Sequence, residues 1–235
     1  MLNEFFVRNY KNIIMDEEEP LILGGLNIFI GANGCGKSNL FEAIKFLPDC
    51  IEYGLQKTVR TYRKGLASLL NKDISTPNKI SFKWQFSPIT DRSGNAPVEY
   101  ELDLSIQDYS HFSLEHETMQ EIEYKVTGNR KYLDFESGKG VVEYRHNADY
   151  SMLFEEMEIS EDETALKTLS SPKQYPAIEY IKNKVSQWRF YNANHMSIRN
   201  IKDRPSKVDI QRPYYRTCDN FCYMFLLIFL DHLTE

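Results

Sequence analysis

The chain has 235 residues, 42% of them hydrophobic, a net charge of −6 and four cysteines. That length holds a full hydrophobic core without disulfide or metal staples, and the acidic balance argues against a surface adapted throughout to nucleic acid. The cysteines form no disulfide ladder and the N-terminus lacks the pattern of a secretory signal, so a cytoplasmic protein is expected. The apolar run Phe221 to Leu233 is shorter than the ~20 residues a spanning helix needs, and no membrane association is expected.

In chain order, Leu2–Arg8 and Leu21–Ile30 are rich in Phe, Val, Ile and Leu and flank the charged turn Asp16 to Pro20, which predicts two strands. After Ser38 the apolar residues Leu40, Ala43, Ile44 and Leu47 recur at helical spacing, ending near Pro48. A second helix is predicted over Gln56 to Leu70. From Lys79 to His146 the texture alternates. Ile80–Phe86, Val98–Ile106, Ile122–Val126 and Val141–Tyr144 predict an antiparallel meander, with turns at Gly128-Asn129 and Gly138 to Gly140. Glu155 to Glu163, with six carboxylates in nine residues, reads as a solvated acidic loop. Helices are predicted at Glu163–Leu169 and Pro176–Val185.

Between the second strand and the first helix lies Gly31-Ala-Asn-Gly-Cys-Gly-Lys-Ser38, a G-x-x-x-x-G-K-S phosphate-binding loop in the strand, loop, helix context the motif requires. Its glycines let successive backbone N–H groups face one anionic centre, and the helix N-terminus adds positive potential. Asn33, Gly34, Cys35, Gly36, Lys37, Ser38 and Asn39 are therefore candidate ATP-binding residues. Lys37 would reach the β- and γ-phosphates as the catalytic cation, and the Ser38 hydroxyl would ligate Mg²⁺. Cys35, in a free position of the motif at a helix N-terminus, is also a candidate for oxidation. Cys218 and Cys222, four apart, have no second ligand pair to make a metal site.

The loop sits behind Val7-Arg8-Asn9-Tyr10-Lys11-Asn12 and is followed by Asn39. Together these residues resemble the AAA-type ATPases of the RecF, SMC and OLD-nuclease group, and Gln174 to Ile181 with Trp188 to Tyr191 looks like the helix and aromatic strand closing their first lobe. The resemblance implies an α/β P-loop NTPase: an ABC-type head lobe with a mixed core sheet and an antiparallel β-subdomain. One ATPase domain over 1–235 is expected, with a P-loop core at 1–75, the β-subdomain at 76–150 and a helical, basic segment at 151–235. It also places Arg8 and Lys11 near the nucleotide and makes Gln211, with Gln85 and Gln187 as alternatives, the candidate contact to Mg²⁺ and the attacking water.

A complete head of that group continues into a Ser-Gly-Gly signature and a Walker B strand ending in Asp-Glu. Met224 to Asp231 mimics the Walker B strand, which makes Asp231 a candidate Mg²⁺ ligand, but His232 stands where the glutamate belongs and no signature is evident. The expectation is an ATPase with ATP and Mg²⁺ as cofactors whose catalytic half comes from a homodimer mate or another partner, the chain itself being an N-terminal piece, a disrupted product or one subunit. DNA is a partner by resemblance; the nine Lys and Arg between Lys182 and Arg216 are compatible with phosphate contacts. Two other readings remain open: a nucleotide-binding protein without turnover, and a P-loop kinase of a small acceptor.

Overall fold

The computed structural model describes residues 1–62, 65–71, 79–89, 96–108, 110–122, 130–146 and 151–190. Residues Met1–Ser186 form one compact unit and Gln187–Glu235 a second, of which only 187–190 are described. Two short strands open the first unit, β1 (Leu2–Arg8) and β2 (Leu21–Ile22). Helices α1 (Lys37–Ile44), α2 (Phe46–Tyr53) and α3 (Leu55–Lys57) follow, the last continuing as a π-helical turn over Thr58–Tyr62 before a 3₁₀ turn at Leu66–Ser68. Then come β3 (Lys79–Phe86), β4 (Val98–Ile106), β5 (Phe112–Glu121), β6 (Lys131–Glu136), β7 (Lys139–Arg145) and β8 (Met152–Glu158). Helices α4 (Ala165–Thr168) and α5 (Pro176–Ser186) close the unit.

All eight strands form one sheet in the order β2-β1-β3-β4-β5-β6-β7-β8. Every pairing among the described residues is antiparallel, where a mixed core sheet was expected. Two-residue periodicity divides its faces. Ile80, Phe82, Trp84 and Phe86 of β3 and Val98, Tyr100, Leu102 and Leu104 of β4 are buried on one side, while Lys79, Ser81, Lys83, Glu99, Glu101 and Asp103 alternate to the other.

The buried face is covered by helices. Phe46 of α2 stacks on Phe82 with ring centroids 4.6 Å apart and planes 8° from parallel, and Phe82 stacks in turn on Trp84 at 5.3 Å. Tyr10 meets Phe46 and Phe82 edge-on. Ala177, Ile178, Ile181 and Val185 of α5, at helical spacing, are all buried.

Several elements differ from those the sequence pattern predicts. The helix expected to end near Pro48 instead breaks at Lys45 and restarts, with Pro48 in the first turn of α2, where its missing N–H has no helical partner to lose. The acidic segment is not a loop in its first part: β8 carries Glu155, Glu156 and Glu158 as an edge strand, and charge on an edge discourages further pairing. Strands β5 and β6 were not anticipated, and Ile122 lies just past β5; the rest of the predicted Ile122–Val126 strand and the Gly128-Asn129 turn fall outside the described residues. The β6–β7 hairpin turns at Ser137 and Gly138, both left-handed (φ 48° and 78°), the geometry of a two-residue type I′ turn. Trp188 to Phe190 are not in a strand.

Buried polar chemistry ties α4 to the sheet. Glu117 of β5 points into the core, accepts the Tyr100 hydroxyl at 2.8 Å, and accepts the Ala165 and Leu166 amides at 2.6 and 2.9 Å. Thr164 accepts the Lys167 amide, so three orphan donors of this short helix are met by side chains. Complete burial raises the Glu117 carboxyl from 4.5 to about 7, against the hydrogen bonds that favour its anion.

A raised carboxyl pKa means the folded state holds a proton that the unfolded chain releases near pH 4.5. Stability from this group is therefore fully present below pH 4.5 and is lost as pH rises through about 7, by up to about 3 kcal/mol. Denaturant melts at a series of pH values should show this fall, and Glu117→Gln should flatten it. An unchanged slope in the variant would exclude Glu117 as its source.

Candidate nucleotide-binding site

The phosphate-binding loop is built from two left-handed glycines and a helix start. Gly34 and Gly36 have φ of 83° and 103°, values that side-chain-bearing residues rarely adopt. Gly36 is the N-cap of α1, with no side-chain cap and no acidic residue in the first turn. The first intrahelical bond runs from the Leu40 amide to the Gly36 carbonyl at 2.9 Å, so the amides of Lys37, Ser38 and Asn39 are left facing out. A helix terminus with free amides and no carboxylate of its own suits an incoming anion.

Lys37 folds back over this loop. Its ammonium donates to the carbonyls of Gly31 and Ala32, both at 2.7 Å, and lies 3.5 Å from Cys35 Sγ. A Cβ on Gly31 would come within 2.8 Å of that sulfur, so glycine is needed there for close packing. The loop thus holds its cation at its own mouth, where phosphate oxygens can compete with two neutral carbonyls for it. Ser38 stands beside it at the exposed helix start. These residues fit a Mg²⁺ nucleoside triphosphate: amides for the phosphate oxygens, an ammonium for their charge and a hydroxyl for the metal.

The turn after β1 reaches the same place. Asn9 and Lys11 are left-handed (φ 61° and 53°) on either side of the buried Tyr10. The Lys11 amide is held by the Leu69 carbonyl at 2.6 Å, and its ammonium is paired with Glu42 of α1. Asn9 donates to the Lys79 carbonyl at 2.9 Å. This contorted turn delivers Asn12, which accepts from Asn39 at 2.7 Å and packs so close to Gly36 that a Cβ there would sit 2.9 Å from its amide nitrogen. Asn12 and Glu42 are the neighbours that reading the sequence did not nominate, although Asn12 closes the Arg8 to Asn12 run; contact with Gly36 is invisible to spacing.

Of the other candidates, Lys11 comes to α1 through Glu42, while Arg8 is exposed at the end of β1. Gln85 is buried in β3, paired with Glu4 and Glu99, and Gln187 is exposed at the start of the second unit. Gln211 and Asp231 lie outside the described residues, as do Cys218, Cys222 and most of the basic Lys182 to Arg216 segment.

The strand expected before the loop is only partly present. Leu21 and Ile22 pair with β1, but Leu26–Ile30 is in no sheet among the described residues. Leu26, Ile28 and Ile30 are 82%, 75% and 92% exposed, and Phe29 meets Phe41 of α1 edge-on. An alternating aliphatic row this exposed has the sequence pattern of a strand's core face.

Residues 26–165, more than half of the chain, match the model of the family described as "AAA domain, putative AbiEii toxin, Type IV TA system". The chain belongs to that family. It is accordingly a P-loop ATPase-type AAA domain, and the matched span takes in the phosphate-binding loop and strands β3 to β8. The match makes no assignment to the RecF, SMC or OLD groups within the wider class. No curated protein and no solved structure matches the chain. Among the described residues, no helix of the AAA domain is long and apolar enough to cross a membrane.

Replacing Gly36 by alanine puts a side chain on a left-handed residue and into Asn12 at once. We expect Gly36→Ala to lower stability by about 1–2 kcal/mol and to weaken nucleotide binding. Adding Asn12→Gly should recover the steric part and leave the backbone part, read as two steps in thermal melts.

Proposed function

We propose that this AAA domain binds Mg²⁺-ATP at Gly31 to Ser38 and hydrolyses it when two heads come together, as one engine of a system that repairs DNA or defends against foreign DNA. The observation that carries the reading is the loop itself: uncapped helix amides, left-handed glycines and a lysine ammonium resting on carbonyls in one exposed cradle. Lys37 orients and neutralises the β- and γ-phosphates, Ser38 holds Mg²⁺, and Asn12 and Asn39 fix the loop's outer wall. Bound Mg²⁺ supplies charge neutralisation at the phosphates during transfer.

The bare row of Leu26, Ile28 and Ile30 supports a head completed by further structure. In this reading the completing half supplies the signature and Walker B functions from a homodimer mate or partner, with Asp231 and Gln211 as this chain's own candidates for Mg²⁺. The family description names a toxin of a type IV toxin–antitoxin system, which supports a place in defence. In this reading the partner DNA meets the local basic segment Lys182 to Arg216, since the net charge of the chain is acidic.

Mg²⁺-ATP binding and phosphate release, measured side by side against protein concentration, test this. Wild type should bind and show turnover per chain that rises as chains associate. Lys37→Ala should bind at least about tenfold more weakly, the loss of one charge-assisted contact, and release no phosphate. Equal binding by the variant would move the site elsewhere. Binding without phosphate release at any concentration would make the protein a nucleotide sensor, and a phosphorylated acceptor without free phosphate would make it a kinase.

A further inference from the structure

The sheet face turned away from the helices carries a second constellation, remote in sequence from the phosphate-binding loop. Glu101 and Asp103 are two apart on β4 and therefore share that face, and His116 of β5 is directly opposite Asp103 in the ladder. The register slips between Asp103 and Leu104, where Glu115 is the extra residue of β5. A bulge of this kind re-aims the side chains beside it. One ligand atom from each of Glu101, Asp103 and His116 lies within 4.8 Å of the other two.

Asp103 is the anomaly. It is 4% exposed, and while Oδ2 is 2.7 Å from the Lys79 ammonium, Oδ1 is buried with no hydrogen-bond partner among the described residues. A buried carboxylate oxygen left unpaired is costly, on the order of 1–3 kcal/mol, and calls for a cation or donor. Lysine cover is incomplete across the group. Lys83 reaches Glu101 at 3.5 Å but is shared with Glu17, and Lys79 is shared with Glu115 at 3.6 Å.

We propose that Glu101, Asp103 and His116 form a binding site for a divalent transition-metal ion. The imidazole is placed for it: Nδ1 lies 4.0 Å from Asp103 Oδ2, the oxygen that Lys79 also holds, while Nε2 lies 3.4 Å from Asp134 Oδ1 on β6. With Nδ1 on the metal, Nε2–H donates to Asp134, the carboxylate–histidine–metal relay that fixes ring orientation and raises ligand basicity. One imidazole and two carboxylates suit Zn²⁺, Mn²⁺ or Co²⁺ rather than a soft monovalent ion. Bonds of about 2.1 Å to one ion set ligand atoms roughly 3.4 Å apart, so groups now within 4.8 Å need to close by up to about 1.4 Å, through side-chain rotation.

Calorimetric titration of Zn²⁺ alone into the nucleotide-free full chain tests the site. One equivalent should bind, with a matching rise in melting temperature. His116→Ala and Asp103→Asn should weaken binding by more than tenfold, and Asp134→Asn by about tenfold through the ring. Ser38→Ala should leave it unchanged. Lys79→Met should tighten it, because the ammonium and the metal compete for Asp103. Circular dichroism checks the fold of each variant, and Asp134→Asn, on a partly exposed side chain, stands in if a core-facing variant unfolds. No binding, or binding that survives both His116→Ala and Asp134→Asn, overturns the proposal, as does binding abolished by Ser38→Ala.

Discussion

The face-to-face contact between Phe46 and Phe82 is the joint on which the rest of the first unit depends. Phe46 belongs to the helix that follows α1, and Phe82 to the third strand of an eight-stranded sheet. Their stack, extended by Trp84 and edged by Tyr10, is worth about 1 kcal/mol beyond the area it buries. It also fixes where the loop at Gly31 to Ser38 can be. Tyr10 sits in the same aromatic group, so the turn that carries Lys11 and Asn12 is pinned to the helix pair it touches.

Much of this was legible from alternation and spacing. β3, β4 and α5 follow from apolar periods of two and 3.6, β1 from its run of apolar residues, and the loop from its motif. The failures are equally physical. In β5 the alternation starts with Phe112 and Leu114, skips a beat at the bulge beside Glu115, and then buries Glu117 where an apolar residue would be expected. That glutamate is inside because its oxygens cap α4 from a strand far away in sequence, a partnership no local window reveals. The uniform antiparallel pairing was hidden because motif context predicts a strand before the loop without saying what it pairs with. For Leu26–Ile30, nothing described pairs with it.

The site shows the same division. Gly34 and Gly36 were nominated by type, and their positive φ gives the reason. Asn12 and Glu42 act through contacts across the turn, and only three-dimensional proximity brings them to notice. Two non-glycine residues held left-handed within three positions store local strain of a sort that persists where surrounding contacts over-determine the backbone. Here those contacts are the Leu69 carbonyl, the Lys79 carbonyl and Glu42.

The row of glutamates along β8 sets a boundary for the sheet. Glu155, Glu156 and Glu158 line the strand that ends the ladder opposite the two-residue β2. A second copy approaching edge to edge would bring the same row of negative charge against it, and the repulsion grows with every residue that comes into register. Polymerisation through this border is therefore self-defeating at low ionic strength. Dissolved salt, by screening the border over about 10 Å at 0.1 M, is the agent that would lower the fence.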